Sequence, residues 1–480
     1  MKTIKIMMLF ITCFCFPLLA NERSDATILT SKTVMNMQTR THLYKTGVTI
    51  ENGDVWVWGY RGMGLQGNGR KTVARRDPPA RVETFIERGL SIVQLAAGRY
   101  HIIALDDQGN VWGWGRNRQF QATGAVHSRE SNVSTPVEVL RNQDVVEISC
   151  SEFTSYALTR DGRVFSWGRN SHGEAGTGTR GSKSTLQQID PRYFGNRPVV
   201  TIGSAYDSAY AINEVGEVWG WGDEQRDAFG FENKKVHIYN TIPKQITNLD
   251  GIDGKKIVHI TGGNAYTAFL TSSGQVYGMG KASRLGLSGS LEDELDDDSE
   301  DGADPDEDKD NDKDNDDDDG SDDDELTEDK IKHEDEKREG AKKGKTIPTP
   351  AMITRDIKLL FCRFRGCVAV TNSDEIKTWG HKGGSLKNIM YGTRPTVRQH
   401  QGRVVKIDGG KQYLLYWNDE GKGFGVGQGS GRKFSPGSNS NRDWPGAELG
   451  WLVNKMKEVY GQDYIPGQGY SWIKQRPWSK

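Results

Sequence analysis

The chain is 480 residues long with five cysteines, so it can bury a large core and has too few cysteines to depend on a disulfide scaffold. Its formal net charge is −2, yet residues 291–340 contain 29 Asp and Glu against 6 Lys and Arg, a charge of −23 that leaves +21 on the remaining residues. After the first 20 residues no run of apolar residues is long enough to cross a membrane, so the sequence predicts no transmembrane segment.

Residues 1–20 have the pattern of a secretory signal peptide. Two lysines precede an apolar run that ends at Phe16, and Ala20 offers a small residue at the expected cleavage position. A signal peptide is favoured over a short membrane anchor because the run is too short to span a bilayer. We therefore expect an exported protein that is periplasmic, cell-surface or extracellular.

A repeated unit follows. Six times a strand-like run ends in an aromatic residue or Met followed by Gly, and each unit contains three short runs of β-branched and aromatic residues separated by turns. The repeat residues are Trp58, Trp114, Trp167, Trp221, Met279 and Trp379. With a degraded copy that ends near Val426 and Gly427, the chain holds seven repeats of about 50 residues.

These repeats resemble those of the regulator of chromosome condensation family, over about residues 31 to 431 with one interruption. The resemblance rests on the order of a strand, a small residue or Gly, Ala-Leu, a turn Gly and Trp-Gly. The family's histidine is matched by His101 and more loosely by His42. The resemblance implies an all-β, seven-bladed β-propeller. Family members include a nuclear guanine-nucleotide exchange factor, a secreted β-lactamase inhibitor and many interaction modules, so the resemblance does not choose a function.

The sequence divides into five parts. These are a signal peptide (1–20), propeller repeats one to five (31–290), an acidic low-complexity insertion (291–345), repeats six and seven (346–431), and a linker, amphipathic helix and aromatic tail (432–480). The composition of the insertion predicts disorder, because it cannot bury enough apolar surface to fold. We expect it to lie in the loop that connects the fifth blade to the sixth.

The C-terminal part is expected to contain a helix. Asp443 and Pro445 are typical of a helix start, and an apolar stripe follows. The stripe consists of Leu449, Leu452, Met456, Val459 and Tyr460. We expect the helix to pack on the propeller, either on a face or at the closing blade. The alternative is a docking tail for a secretion or surface partner.

Alternating aspartates inside the insertion form a candidate Ca²⁺ site. Ca²⁺ prefers several oxygen ligands, and carboxylates two positions apart in an extended loop can converge on one ion. The candidate ligands are Asp304, Asp306, Asp308, Asp310, Asp312, Asp314, Asp316 and Asp318. The alternative is a solvated polyanion that only collects counterions.

Three cysteines remain outside the signal peptide. Cys150 occupies the small, buried position of its repeat and is expected to be an inert filler. Cys362 and Cys367 flank the first hairpin turn of their repeat, where opposed positions lie close together, and an oxidising compartment would permit a disulfide between them. Two independent core thiols are the alternative.

No catalytic motif is present: H-E-x-x-H, G-x-S-x-G and a P-loop are all missing, so we expect a non-enzymatic protein. The basic body favours an acidic or polyanionic partner, either a protein or an anionic surface polymer, and export argues against nucleic acid. We expect a monomer, with the acidic insertion gating the binding face. The alternatives are a Ca²⁺-responsive surface adhesin or structural protein and a secreted enzyme inhibitor.

Overall fold

The computed structural model describes residues 39–41, 43, 46–60, 62–69, 76–126, 130–225, 227–231, 237–249, 252, 257–287, 346–363, 366–380, 394–410, 413–427 and 442–466. The strands of the first four blades are β1 (Thr39–Thr41), β2 (Thr46–Glu51), β3 (Asp54–Tyr60), β4 (Arg76–Arg81), β5 (Ile92–Ala97), β6 (His101–Asp106), β7 (Val111–Arg116), β8 (Asn132–Leu140), β9 (Val145–Cys150), β10 (Thr154–Thr159), β11 (Val164–Asn170), β12 (Gly181–Gln188), β13 (Val199–Ser204), β14 (Ser208–Asn213), β15 (Val218–Gln225) and β16 (His237–Gln245).

Twelve further strands build the last three blades, and two short helices complete the described chain. The strands are β17 (Ile257–Gly263), β18 (Tyr266–Thr271), β19 (Val276–Lys281), β20 (Thr346–Thr354), β21 (Ile357–Arg363), β22 (Gly366–Thr371), β23 (Ile376–Gly380), β24 (Thr396–Arg398), β25 (Val404–Gly410), β26 (Tyr413–Asn418), β27 (Gly423–Gly427) and β28 (Arg442–Glu448). The helices are α1 (Glu83–Glu87) and α2 (Gly450–Tyr460), and 3₁₀ turns span Gly62–Gly64 and Pro191–Phe194. None of the described helices is long and apolar enough to cross a membrane.

The strands form seven sheets, one for each blade, which confirms the predicted all-β, seven-bladed propeller. Blades 2 to 7 each pair four consecutive strands in antiparallel order, and blade 1 pairs β2, β3 and β4. The inner position of blade 1 is filled by β1, which pairs in parallel with β5 of blade 2 and also contacts β25 of blade 7.

Blade 5 differs from the sequence-based boundaries. Its fourth strand, β20, pairs with β19, with Tyr277 opposite Met352. Residues 346–354 therefore belong to blade 5, and the acidic insertion interrupts this blade between its third and fourth strands instead of connecting it to blade 6. A fourth strand can pair with the third across a long excursion because the cost of closing a loop rises only slowly with its length.

The C-terminal part also differs from its prediction. Asp443 and Pro445 lie in β28, which pairs with β27 and completes blade 7, so they do not begin a helix. Pro445 is tolerated because β28 is an edge strand. The helix begins at Gly450, and Leu449, Leu452 and Met456 are fully buried, whereas Val459 is exposed.

The core lies between neighbouring blades, and apolar wedges fill its outer part. Phe85 of α1 packs edge-to-face on Trp112 and Trp114 of blade 2, with ring centroids 6.0 and 5.8 Å away. Helix α2 fills the space between blade 7 and blade 1 in the same way. Its residues Leu452 and Met456 belong to one apolar cluster with residues of β3 and β26. The C-terminal helix therefore packs at the closing blade, one of the two positions on the propeller that the sequence left open.

Polar side chains also join the inner strands of adjacent blades. Gln94 of blade 2 both donates to and accepts from the backbone of Ile148 in blade 3, at 3.1 and 3.0 Å. Between blades 3 and 4, the Glu147 carboxylate accepts a hydrogen bond from the backbone N–H of Ile202 at 3.1 Å. These bonds fix the register of one blade against the next.

Candidate functional site

The two faces of the ring differ in what they carry. One face carries the turns between the first and second strands of each blade and the segments that join the third strand to the fourth. We call it the loop face. The opposite one, the connection face, carries the turns between second and third strands and the connections from blade to blade. Because each segment that joins a third to a fourth strand belongs to the loop face, the acidic insertion departs from this face.

The glycine after each repeat Trp shapes the loop face. Gly115 has φ of +101°, in the left-handed region that favours glycine, and a Cβ there would lie 2.6 Å from the Tyr100 carbonyl oxygen. The next residue, Arg116, donates its backbone N–H to that same oxygen at 2.7 Å. The bond recurs as Arg169 to Phe153 (2.9 Å), Asp223 to Asp207 (2.9 Å) and Lys281 to Ala265 (2.8 Å). Each of these blades therefore sets a charged residue against its first turn.

On blades 2 and 3, arginine side chains alternate with aromatic rings along the loop face. We call this series the arginine–aromatic ladder, and it consists of Arg99, Tyr100, Arg116, Phe153 and Arg169. The guanidinium of Arg99 lies 5.3 Å from the Tyr100 ring centre. That of Arg116 lies 5.9 Å from the rings of both Tyr100 and Phe153. Arg169 continues the series 4.7 Å from the Phe153 ring. Each contact falls within the range of a cation–π interaction.

Carboxylates hold the two ends of the ladder. Arg99 lies 3.5 Å from the Glu152 carboxylate. Arg169 forms ion pairs with Glu174, at 2.8 Å, and with Asp207 of blade 4. Burial lowers the pKa of Arg169, but the two carboxylates outweigh this effect and raise it above its ordinary value. The side chains at the ends of the ladder are therefore fixed in place.

Among the residues that the structure describes, a group around Arg169 is arranged so that it could hold a metal. Ligand atoms of His172, Glu174 and Asp207 lie within 4.8 Å of one another, and all three side chains are buried. The guanidinium of Arg169 already supplies the positive charge that the two carboxylates need, so the donor set fits an arginine-centred ion cluster and does not fit a metal centre. Burial favours a higher pKa for Glu174, yet Arg169 and His172 outweigh it and lower that pKa to about 2.

Aromatic stacking extends the loop face onto blade 4. The His172 ring stacks on that of Tyr239, with centroids 5.0 Å apart. The guanidinium of Arg180 lies 4.3 Å from the Tyr239 ring centre. Arginines and rings thus follow one another across blades 2, 3 and 4.

The sequence segments between strands also differ in charge. The segments that join third to fourth strands in blades 1 and 6 contain basic residues and no Asp or Glu: Arg61, Arg70, Lys71 and Arg75 in the first, and Lys382, Lys387 and Arg394 in the second. The connection face has an acidic bias in its second-to-third turns, with Glu214, Glu217, Asp374, Glu375, Asp419 and Glu420. Apart from the insertion, the sequence between the third and fourth strands of blades 1 and 6 therefore carries net positive charge, whereas the second-to-third turns are acidic on balance.

The structure assigns the predicted site residues to different roles. All six repeat residues are buried at 1% exposure or less and serve the core between blades. Trp114 and Trp221 also donate their indole N–H groups to carbonyls of the preceding blade, those of Leu65 and Glu174. The predicted Ca²⁺ ligands Asp304 to Asp318 lie outside the described residues.

The cysteines and the family histidine are buried. Cys362 and Cys367 form a disulfide across β21 and β22, with Cα atoms 4.0 Å apart. Burial raises the pKa of Cys150 to about 12, which makes its thiol unreactive. His101 is fully buried, with Nε2 2.9 Å from the Ser155 hydroxyl, and therefore belongs to the core.

Sequence reasoning missed the ladder and the ion cluster. A signal for both is present in the turns that follow the first strands, where a charged residue adjoins an aromatic one in Arg99-Tyr100, Glu152-Phe153 and Tyr206-Asp207. Their partners lie in neighbouring blades, so the pattern becomes informative only when the repeats are placed side by side.

Comparison with known proteins agrees with the fold. The RCC1-like domain matches residues 41–317. The chain is similar to the ultraviolet-B receptor UVR8 of Arabidopsis thaliana, with 27% identity over 252 residues, 51% of this chain and 54% of UVR8. It is also similar to the probable E3 ubiquitin-protein ligase HERC6 of Homo sapiens, with 26% identity over 223 residues, 46% of this chain and 21% of HERC6. The chain thus spans about half or less of these relatives' lengths.

Solved propellers show the same architecture at low sequence identity. The crystal structure of yeast RCC1 (Prp20) with Kap60 aligns with a TM-score of 0.60 and 16% identity, over 87% of each chain. Human WBSCR16 aligns with a TM-score of 0.58 and 16% identity, over 80% of this chain and 88% of its own. The domain match covers more than half of the 480 residues and includes strands β2 to β19, so this protein belongs to the RCC1-like domain family.

Proposed function

We propose that this protein is an exported, non-enzymatic interaction propeller whose loop face binds an acidic or polyanionic macromolecule. The arginines and rings described on that face carry the proposal, and the basic sequence of the segments in blades 1 and 6 supports it. Arginine and aromatic residues are enriched at protein interfaces and at their energetic centres. A surface of one charge sign also speeds the encounter with a partner of the opposite sign.

Two features support export. Residues 1–20 have the composition of a signal peptide, and a disulfide such as Cys362–Cys367 persists in oxidising compartments. The partner is then an acidic protein or an anionic surface polymer outside the cytoplasm. A protein partner has a precedent in the fold, since yeast RCC1 has been crystallised with Kap60 bound.

The acidic insertion is proposed to gate this face. Its flanking strands end and begin at Lys281 and Thr346, on the loop face of blade 5. The composition of the insertion predicts disorder, and a disordered chain of some fifty residues reaches roughly 40 Å, far enough to lie over neighbouring blades. Many weak ion pairs at high effective concentration can compete with an external polyanion.

Heparin affinity tests the gate. The linker variant replaces residues 291–340 with a neutral Gly/Ser segment of equal length. It is expected to elute from a heparin column at higher salt than the intact protein, because the competing charge of −23 is gone. Elution of both proteins at the same salt concentration would contradict gating by the insertion. It would not decide whether the loop face binds, which the charge-reversal variants test.

Charge reversal tests the face itself. In the linker variant, Arg180→Glu with Lys183→Glu changes two exposed residues at the loop face. The matched control, Arg141→Glu with Arg192→Glu, changes two side chains of the connection face that are 74% and 77% exposed. We expect the first pair to lower the eluting salt concentration and the control to leave it nearly unchanged. An equal effect of the two pairs would rule out the loop face as the binding surface.

The aspartate alternation from Asp304 to Asp318 favours a second candidate, a Ca²⁺-responsive surface protein. Isothermal titration of Ca²⁺ into the intact protein should then give heat that the linker variant does not give. If the two titrations agree, the aspartates only collect counterions.

A further inference from the structure

Phe120 has an unusual backbone conformation in the segment that joins β7 to β8 on the loop face. Its φ is +66°, in the left-handed region that a bulky side chain rarely adopts. The corresponding residue, six positions after the repeat Trp, is Gly64 in blade 1 and Gly173 in blade 3, and both glycines have positive φ. Blade 2 therefore carries an aromatic residue where the shape of the turn favours glycine.

The neighbouring blades explain why this position differs. A Cβ on Gly173 would lie 2.8 Å from Thr241 Cα in the fourth strand of blade 4, and one on Gly64 would lie 2.7 Å from the fourth strand of blade 2. Neither glycine therefore leaves room for a side chain. Next to Phe120, the fourth strand of blade 3 contributes Lys183, whose Nζ lies 5.2 Å from the ring centre. The ring thus lies at the junction of blades 2 and 3, beside a cation.

Hydrogen bonds hold the strained turn in place. The buried Asn117 side chain accepts both the backbone N–H and the hydroxyl of Thr123 on Oδ1, at 3.1 Å each. The Ser155 hydroxyl of blade 3 donates to the carbonyl of Gln121, the residue after Phe120, at 2.8 Å. Strained residues persist where their surroundings fix them, and they are concentrated at functional sites. The conformation of Phe120 therefore points to a role for its ring beyond packing.

The ring and the ammonium group offer apolar surface and charge together. Phe120 is partly exposed, and Val126 in the same segment is 43% exposed. Lys183 is exposed, and in the part of the chain that the structure describes it forms no ion pair. Its contact with the ring is a cation–π interaction, which leaves the positive charge in place. A carboxylate can therefore pair with Lys183 beside the ring.

We propose that Phe120 and Lys183 form a subsite of the loop face that binds an apolar side chain next to a carboxylate, so that the partner is an acidic protein. This inference rests on the proposed function and narrows its choice of partners. An anionic polysaccharide would supply the charge for Lys183 without an apolar group for the ring. Because the turn that carries Phe120 is fixed before binding, little conformational freedom is lost when the partner docks.

Two labelled peptides test the subsite in the linker variant by fluorescence anisotropy. Both are nine residues of Glu except at the centre, which is Leu in one and Ser in the other. The linker variant is expected to bind the Leu peptide about tenfold more tightly, because part of the leucine side chain is buried against the ring. Phe120→Gly should remove this preference and keep the affinity for the Ser peptide, since Lys183 is retained. The matched control is Phe165→Ala, which removes a ring 5.6 Å from Arg163 on the connection face and should keep the preference.

The melting temperature separates a binding role of the ring from a structural one. Phe120→Gly relieves the positive φ, so we expect it to melt at or above the temperature of the linker variant. A ring that only holds the blades together would instead lower the melting temperature by several degrees when removed. That result would overturn the subsite, and so would an unchanged preference for the Leu peptide in Phe120→Gly.

Heparin elution judges the proposed function separately, because heparin offers charge without an apolar side chain. Phe120→Gly should leave the eluting salt concentration unchanged, whereas Arg180→Glu with Lys183→Glu lowers it. If the linker variant binds the two peptides equally, the subsite is overturned and the proposed function stands as long as charge reversal weakens heparin binding. If the linker variant binds neither the peptides nor heparin, both are overturned.

Discussion

Lys406 Nζ lies 2.7 Å from Glu51 Oε1, a contact that joins the last blade to the first across 355 positions of sequence. The same ammonium group donates to the Ile50 carbonyl at 2.5 Å and lies 3.5 Å from Asp408. The three ionisable side chains are buried. A buried charge cluster therefore closes the ring, in addition to the apolar packing around α2.

Replacing Lys406 should open this closure. Lys406→Met leaves two buried carboxylates without their cation, and we expect a loss of about 3–5 kcal/mol in the free energy of unfolding. Urea unfolding at neutral pH measures the loss. The control is Lys358→Met, whose partner Asp374 lies in the same blade and is partly exposed, and which should cost less than about 1 kcal/mol. Equal losses of stability in the two variants would mean that the buried ion pair between Lys406 and Glu51 stabilises the fold no more than a partly exposed pair does.

The contribution of Lys406 should disappear only in alkaline solution. Burial lowers the pKa of this lysine, but Glu51 and Asp408 outweigh it and raise the pKa above its ordinary value of 10.5. A raised pKa stabilises the fold fully below the pKa of the unfolded chain, and the gain is lost as pH rises through the folded value. The difference in stability between wild type and Lys406→Met should stay constant from neutral pH up to about 9 and shrink above 10.5. A difference that shrinks in acid first would assign the effect to another group.

Helix α2 should stabilise the same closure. Leu452 is fully buried against blades 7 and 1, so Leu452→Ala is expected to cost about 2–5 kcal/mol through lost burial and the cavity left behind. Val459→Ala, on the exposed side of the same helix, should change stability by less than about 0.5 kcal/mol. If both substitutions cost the same, the helix does not pack as the structure has it.

The repeats made the fold predictable because each strand of a blade pairs mainly with its sequence neighbour. The Trp-Gly signature marks the third strand, and its glycines adopt positive φ, as at Gly168 (+120°). The fourth strands were harder to recognise, because they are partly exposed and vary in sequence. β28 reads as a linker with a proline, and only its pairing with β27 across a long segment identifies it as a strand.

The candidate site could not be read from the sequence for a related reason. Arg116 and Phe153 are 37 positions apart and belong to different blades, so no local periodicity connects them. The inner strands gave a stronger hint, since their third residue is polar in Gln94, Glu147 and Lys406, all of which bond to the next blade. Contacts between repeats follow from the twist and spacing of blades, which composition does not encode.

The disulfide predicts a simple thiol count. Denatured protein without residues 1–20, purified from an oxidising compartment, should titrate with one thiol, that of Cys150, and with three after reduction. Ellman's reagent measures both states. Three thiols before reduction would show that Cys362 and Cys367 are not bridged in the purified protein.

Acid should weaken the fold through Glu174. Its pKa is lowered from 4.5 to about 2, since Arg169 and His172 outweigh the effect of burial. A carboxylate with a depressed pKa stabilises the folded state above the pKa of the unfolded chain, and this gain is lost as pH falls from 4.5 towards 2.

Glu174→Gln should therefore lower the free energy of unfolding by about 3 kcal/mol at neutral pH, and the difference from wild type should disappear as pH falls from 4.5 towards 2. Burial raises the pKa of the neighbouring Asp207 and the charge of Glu174 raises it further, so Glu174→Gln also eases the ionisation of Asp207. Urea unfolding at several pH values measures the gap, with Glu214→Gln on the connection face as the control. A gap that persists at pH 2 would mean that the Gln side chain disturbs packing and that the charge of Glu174 is not what stabilises the fold.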